Sequence, residues 1–491
     1  MKKIIIVFVM LIGLMASIFT SCTEKKPLGS GSFESGMQIT SSDVAENTDV
    51  QTSSGETDEN SSQQSKDEQN VSSDKSSSSK KPSGNGQTSK NPTTSNKTSS
   101  TLGVNSGNGG GGVSSENKGN EEIEGPEKLP TSDNTKLTPI PESEYYGWKE
   151  LSQSGTEAEK KAYKLIVEKM KVFEPTIKFD FTITRNEFNK ACKFYRADFP
   201  QHFWVAESYN EQFTAESDKL ISVKFNFTTE DKNEIKNQKA RFDSSANTIL
   251  SKVCGSMSDF EKELIIHNEI VKLVDYDVNL SSNSHTAYSA LVNKIAVCSG
   301  YSRAFQYLLR EAGVQAIPVY GKMKNGNGYI SHEWNMVKIN NDYYHIDITA
   351  DDPVISGGAI HVFDFSYFNV TESLIKSDHV IEPNRNVLTL PDAKSDRENF
   401  YKHYGFEFST LDVTLFARSL AFSAVNDYDY AYFKVNGIGE KETIDFVTKN
   451  YKTIFELANK MLSDKKIVLD GSIEYITNSE YQTYDLKIKC Q

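Results

Sequence analysis

The sequence lacks most of what a nucleic-acid or metal-binding protein needs. Lys and Arg number 54 against 67 Asp and Glu, for a formal net charge of −13. Without a basic excess there is little to attract a phosphate backbone, which argues against nucleic acid as a partner. Only five cysteines occur in 491 residues: Cys22, Cys192, Cys254, Cys298 and Cys490. Five in so long a chain is no disulfide framework, and none share a C-x-x-C spacing that would suggest structural zinc. No aromatic residue lies between Phe33 and Tyr145. A single long apolar run, Ile4 to Phe19, breaks the polar character of the first part of the chain. It is shorter than the ~20 residues that a spanning helix needs.

That run follows Met1-Lys2-Lys3 and ends in Thr20-Ser21-Cys22. A positive start, an apolar middle and small residues at the end make a secretory signal. A cysteine directly after the small residues resembles a bacterial lipobox, with Phe19 where such boxes usually carry Leu. The reading is a lipid anchor on Cys22, with the rest of the chain on the outer face of the cell membrane. From Thr23 onward the chain is mostly Ser, Thr, Asn, Gly, Lys and Glu, including Ser76-Ser77-Ser78-Ser79 and Gly109-Gly110-Gly111-Gly112. Such a segment buries too little apolar surface to offset an ordering cost of roughly 1–2 kcal/mol per residue. It reads as a disordered tether over 23–140.

Order is expected from about Tyr145. Ala162, Leu165, Ile166, Met170 and Phe173 recur at helical spacing, and Ile177, Phe179 and Phe181 alternate as in a strand. Residues 229–250 and 258–276 read as helices, the second opened by Ser258 and Glu261 as a capping box. Residues 141–258 then form an N-terminal α+β extension, 259–385 a catalytic core and 386–491 a C-terminal α+β accessory segment. In the last, 446–461 reads as a helix, and strands around 473–475 and 484–488 are possible partners.

The chemistry lies between Ala287 and Pro353. After Cys298-Ser299-Gly300, residues Tyr301, Ala304, Phe305, Leu308, Leu309 and Ala312 form one helical stripe, and Gly313 supplies the stop. Cys298 therefore opens a buried amphipathic helix, where free amides and the helix dipole favour a thiolate and can hold an oxyanion. Val314 to Tyr320 reads as a strand, followed by a glycine-rich loop over 325–328. Ser331 to Ile339 and Asp342 to Ile348 then flank Asn340-Asn341 as a β-hairpin. In that register Asp347 lies opposite Trp334, and His332 is its diagonal neighbour on the same face, about 7–8 Å away. His345 lies opposite Met336, nearer the turn, and reads as structural. A thiol, an imidazole and a carboxylate so placed suit nucleophilic attack on a carbonyl, proton transfer to the leaving amine, and tautomer control.

Val297-Cys298-Ser299-Gly300-Tyr301-Ser302, His332-Glu333-Trp334-Asn335, His345-Ile346-Asp347-Ile348-Thr349 and Asp351-Asp352-Pro353 together resemble the bacterial transglutaminase-like domain. Glu261-Lys262-Glu263, Ile266-His267 and Tyr276-Asp277 resemble its lead-in. Tyr367-Phe368-Asn369 and Asp378-His379 resemble its continuation. Ala350 departs from the pattern, where many members carry Trp. The resemblance implies a papain-like α+β fold, with the cysteine helix packed on an antiparallel sheet. It also implies a Cys298-His332-Asp347 triad performing acyl transfer from a peptide, protein or cell-wall amide. Water as acceptor gives a peptidase or amidase, an amine gives a cross-link, and neither needs a metal or cofactor. Trp334 and Tyr301 are candidates for the substrate cleft. Cys192 and Cys254 read as core residues or a disulfide, with Cys490 free or paired with one of them. The family also contains inactive binding modules, which is the competing reading.

Overall fold

The computed structural model describes residues 126–214, 219–281, 283–353, 363–470, 475–478, 482–487 and 489–490. The apolar start, Cys22 and the expected tether as far as residue 125 lie outside them, as does the side chain of Cys490. Among the described residues no helix is long and apolar enough to cross a membrane.

Packed structure begins earlier than Tyr145. Leu129 N–H donates to the Asn426 side chain, Gly255 N–H to the Thr135 carbonyl and Ile140 N–H to the Arg310 carbonyl. Leu129 and Leu137 rest against the core. The stretch 126–140, which its composition assigns to the tether, is thus laid along the body. Its partners are distant in sequence, so local composition does not reveal them.

Helices α1 (Tyr146–Ser154), α2 (Glu157–Lys171) and α3 (Arg185–Asp198) lead the chain, with the short strand β1 (Thr176–Lys178) before α3. Thr156 with Glu159, and Thr184 with Glu187, close reciprocal capping boxes that satisfy the first amides of α2 and α3. Ala162, Ile166 and Met170 are the buried stripe of α2, each large apolar side chain contributing about 1.5–3 kcal/mol. Strands β2 (Val205–Phe213) and β3 (Leu220–Phe227) join β1 in the order β1-β3-β2. Strand β2 escapes sequence reading because it is an edge strand whose residues are half-buried or exposed on both faces.

Helices α4 (Lys232–Leu250) and α5 (Asp259–Leu273) follow, the latter capped by Ser258 and Glu261 as expected. A two-residue parallel pair, β4 (Asp275–Tyr276) and β5 (Ile295–Ala296), delivers the chain to α6 (Cys298–Glu311). Then come β6 (Gln315–Asn325), β7 (Gly328–Ile339), β8 (Asp342–Ile346) and β9 (His379–Ile381), an antiparallel sheet in the order β8-β7-β6-β9. The glycine-rich loop is only a tight turn: Asn325 pairs with Gly328, and Gly326 takes a φ of +57°. This helix-on-antiparallel-sheet arrangement is the α+β, papain-like fold.

Both faces of this sheet are buried, which explains its dense apolar composition. Ala316, Val337, Ile339 and Ile346 share a core with Tyr301, Phe305 and Leu308 of α6. Ile317, Val319, Trp334 and Met336 belong to a second core with Ile166, Phe188 and Phe199 of the N-terminal helices and the loop after them. Alternate residues along one strand thus serve different cores. The C-terminal part holds a further four-stranded sheet, a short helix at Phe400–His403 and the longer helices Val413–Val425 and Glu440–Met461. Phe400, Phe416 and Leu420 continue the α6 core, so this part shares its interior with the Cys298 helix. Strand Tyr475–Asn478 pairs antiparallel with Thr483–Lys487, where strands over 473–475 and 484–488 are expected; of those, 473, 474 and 488 lie outside the described residues.

Candidate active site

The helix start comes first. Val297 precedes α6 in an extended conformation and offers no side-chain cap. Its N–H donates to the Ser284 carbonyl at 3.0 Å, tying the 284–286 loop against the first turn. Gly300 makes that approach possible: a Cβ there would lie 2.7 Å from the Ala296 Cβ and 2.8 Å from the Ser284 carbonyl oxygen. Cys298 is a free, half-buried thiol at this start. Cys192 and Cys254 are free thiols too, both buried. The disulfide alternative is therefore not what the fold adopts for them, and neither pairs with Cys298.

The hairpin follows. Ile339 pairs with Asp342, Met336 with His345 and Asn335 with Ile346, in the register read from the sequence. Asn340 turns the chain with a φ of +57°, which Asn tolerates better than most residues. Asp347 is the first residue beyond β8, and its Oδ2 lies 2.6 Å from His332 Nε2. That bond occupies Nε2 and leaves Nδ1 as the ring nitrogen for the Cys298 thiol, a hydrogen-bond partner of His332. Thr349 and Ala350 N–H groups hold the other oxygen of Asp347. Burial disfavours a charged His332, but Asp347 and Cys298 outweigh it and raise its pKa well above the ordinary value. Burial likewise opposes the Asp347 carboxylate, yet His332 and His379 hold it below the usual carboxylate range.

Two neighbours received no role from the sequence. His379, on β9, places Nε2 3.0 Å from Asp347 Oδ2, while its Nδ1 lies 2.5 Å from Asp378 Oδ1. Asp378-His379 was visible only as part of the family resemblance. Tyr276 pairs with Ala296, two residues before Cys298. Burial, then the charges of Cys298 and Asp347, push its phenol up to about 12, so it stays a hydroxyl donor.

Two expected cleft residues are corrected. Trp334 and Tyr301 are both fully buried. Trp334 donates its indole N–H to His345 Nδ1 at 3.1 Å, and the N-terminal core covers its ring. The Tyr301 hydroxyl sits 2.7 Å from both the Val274 carbonyl and Asp352 Oδ2. Both side chains are interior supports, so neither lines an open cleft. Asp351 is structural as well, accepting from Tyr367 N–H and lying 3.3 Å from His267. His345 is buried, and burial lowers its pKa to about 3, in line with its structural reading.

The ligand atoms of His332, Asp347 and His379 lie within 4.8 Å of one another, close enough that the three could hold a metal ion. Two hydrogen bonds to one carboxylate oxygen account for that closeness. A surface hollow of about 490 Å³, lined by Leu165, Lys169 and Glu174, shares no residue with the triad.

Comparison with known proteins places the centre of the chain. The model of the transglutaminase-like superfamily matches residues 247–348, a stretch that contains Cys298, His332 and Asp347. No curated protein matches the chain. Three solved structures share local similarity. A candidate cysteine protease from Cytophaga hutchinsonii is 15% identical with a TM-score of 0.20, covering 29% of this chain and 61% of its own. A structure described as a TGase is 11% identical with a TM-score of 0.22, covering 39% and 55%. A candidate protease from Parabacteroides distasonis is 11% identical with a TM-score of 0.17, covering 33% and 44%. The chain thus spans less than two thirds of each structure's own length. Residues 247–348 thus carry a transglutaminase-like domain.

Proposed function

We propose that the protein is a cysteine acyl-transfer enzyme, held at the outer face of the cell membrane by a lipid on Cys22 and acting on peptide or cell-wall amides. The observation that carries the chemistry is the 2.6 Å bond from His332 Nε2 to Asp347, beside a half-exposed Cys298 at an uncapped helix start. The Cys298 thiolate adds to an amide carbonyl carbon. The Cys298 and Ser299 amides receive the oxyanion. His332 gives its proton to the leaving amine as the C–N bond breaks, leaving a thioester on Cys298. Water or a primary amine then attacks the thioester carbon, His332 takes a proton from it, and the thiolate leaves. Water yields a carboxylate; an amine yields a new amide.

The test is the alkylation rate of Cys298 against pH, resolved by mass spectrometry on the full chain. Rapid reaction at acid pH, lost in His332→Ala, supports the enzyme reading. A thiol that reacts only at alkaline pH, unchanged by His332→Ala, would leave a binding module. Incorporation of a labelled primary amine into a glutamine peptide then separates cross-linking from hydrolysis.

A further inference from the structure

The last acceptor in the site belongs to no triad. His379 lies between two carboxylates, with Nε2 3.0 Å from Asp347 Oδ2 and Nδ1 2.5 Å from Asp378 Oδ1. A neutral imidazole has one N–H and one lone pair, so one of these contacts would set a lone pair against an oxygen. With both carboxyl groups ionised, only a ring with both nitrogens protonated satisfies both. Asp378 is itself fixed, because the Tyr367 hydroxyl donates to its other oxygen at 2.8 Å. Strand pairing holds the ring in place: His379 pairs with Met323 on β6, beside the His332 strand.

We propose that His379 is a positioning residue: an imidazolium clamped between Asp347 and Asp378 that fixes the triad carboxylate and weakens its hold on the His332 proton. The inference rests on the acyl-transfer reading of the same site. From Cys298 to Asp378 the groups alternate as thiolate, imidazolium, carboxylate, imidazolium and carboxylate. Asp347 thus divides its charge between two cations. A carboxylate serving His332 alone would hold that ring's proton more tightly. Sharing leaves His332 better able to deliver its proton to a leaving amine.

The groups facing His379 from every side agree with this. Burial opposes its charge, but the bonds from Asp347 and Asp378 raise its pKa, while the His332 cation works against it. The His332 ring centroid is 5.4 Å away, that of Trp334 5.0 Å and that of Tyr367 5.7 Å. His345, also nearby, is held neutral by burial. The two flanking carboxylates are thus the anions against the ring.

The experiment is the pH profile of Cys298 alkylation by chloroacetamide, on the full chain carrying His379→Gln, His379→Ala or Asp378→Asn. A thiolate–imidazolium pair gives a plateau at acid pH and a second inflection where His332 loses its proton. His379→Gln keeps a donor for Asp347 but removes the cation. Its second inflection is expected about one pH unit higher, the usual effect of one charge at this range. Asp378→Asn, which no longer locks the cation, should move it the same way by less. His379→Ala also frees the carboxylate, and the acid plateau should fall by on the order of a hundredfold through misplacement of His332. A His379→Gln profile identical to wild type, or shifted down, overturns the inference while leaving the triad intact. Absence of the acid plateau in wild type itself overturns the acyl-transfer reading and this inference with it. Should His379→Ala fail to fold, the His379→Gln and Asp378→Asn shifts decide alone.

Discussion

Trp334 donates its indole N–H to His345 Nδ1 over 3.1 Å, across the two strands that lead to His332 and Asp347. The bond joins the residue two after the histidine to the residue two before the aspartate. It therefore holds the strand spacing on which the 2.6 Å His332–Asp347 contact depends. The Trp334 ring also stacks on His332 with centroids 6.0 Å apart. Its hydrogen bond and its packing thus act on one geometry.

Trp334→Phe keeps a ring but removes the donor, leaving a buried acceptor on His345. An unsatisfied buried acceptor costs about 1–3 kcal/mol. The urea midpoint should fall accordingly. Alkylation of Cys298 at acid pH should slow as well, because His332 loses its backing. Unchanged midpoint and rate would mean that the bond contributes nothing.

Two glycines should prove intolerant for different reasons. A Cβ on Gly321 would lie 2.1 Å from the Val380 carbonyl oxygen and 2.8 Å from the Trp334 ring. A Cβ on Gly300 meets the Ala296 Cβ and the Ser284 carbonyl instead. Overpacking of this kind costs typically about 1–3 kcal/mol. Gly321→Ala pushes on backbone at the closer distance, so its stability loss should be the larger. Gly300→Ala should chiefly slow Cys298 alkylation, because the loop that abuts the helix start must move. Equal melting temperatures for both variants and wild type would contradict this account.

How much of this was legible depended on how local each cause is. The Cys298 helix rests on its own apolar stripe, and the hairpin register on Asn340-Asn341 and a two-residue period. Both were readable, including the pairing of Met336 with His345. The burial of Trp334 was not, because its cover comes from the N-terminal helices more than a hundred residues upstream. The contact of His379 with Asp347 spans 32 residues and depends on β9 pairing with β6. No spacing rule connects them. The ordering of 126–140 rests on the packing of Leu129 and Leu137 and on hydrogen bonds with Asn426, Val253, Gly255, Ser256 and Arg310, which a polar, proline-bearing stretch does not announce.

Glu263 gives a prediction that is independent of catalysis. It is fully buried on α5, and its Oε2 accepts from Asn369 Nδ2 at 2.7 Å. Glu263 Oε1 and Asn369 Oδ1 are both left unpaired. A proton on Oε1 makes it a donor, and an acid–amide pair with two hydrogen bonds accounts for both atoms. Burial pushes the Glu263 pKa well above its usual 4.5, against the single bond from Asn369. The sign follows from that rise. The folded state binds the proton more tightly than the unfolded chain, so this contribution to stability is complete below pH 4.5. It is lost as pH climbs through the raised folded value. Glu263→Gln replaces the acid by a neutral amide that can keep both bonds. Its stability should lie within about 1 kcal/mol of wild type in mild acid. It should then decline less steeply than wild type as pH rises, measured by urea unfolding at a series of pH values. Parallel pH profiles for the two proteins would show that Glu263 is ionised in the fold and that the paired-acid description is wrong.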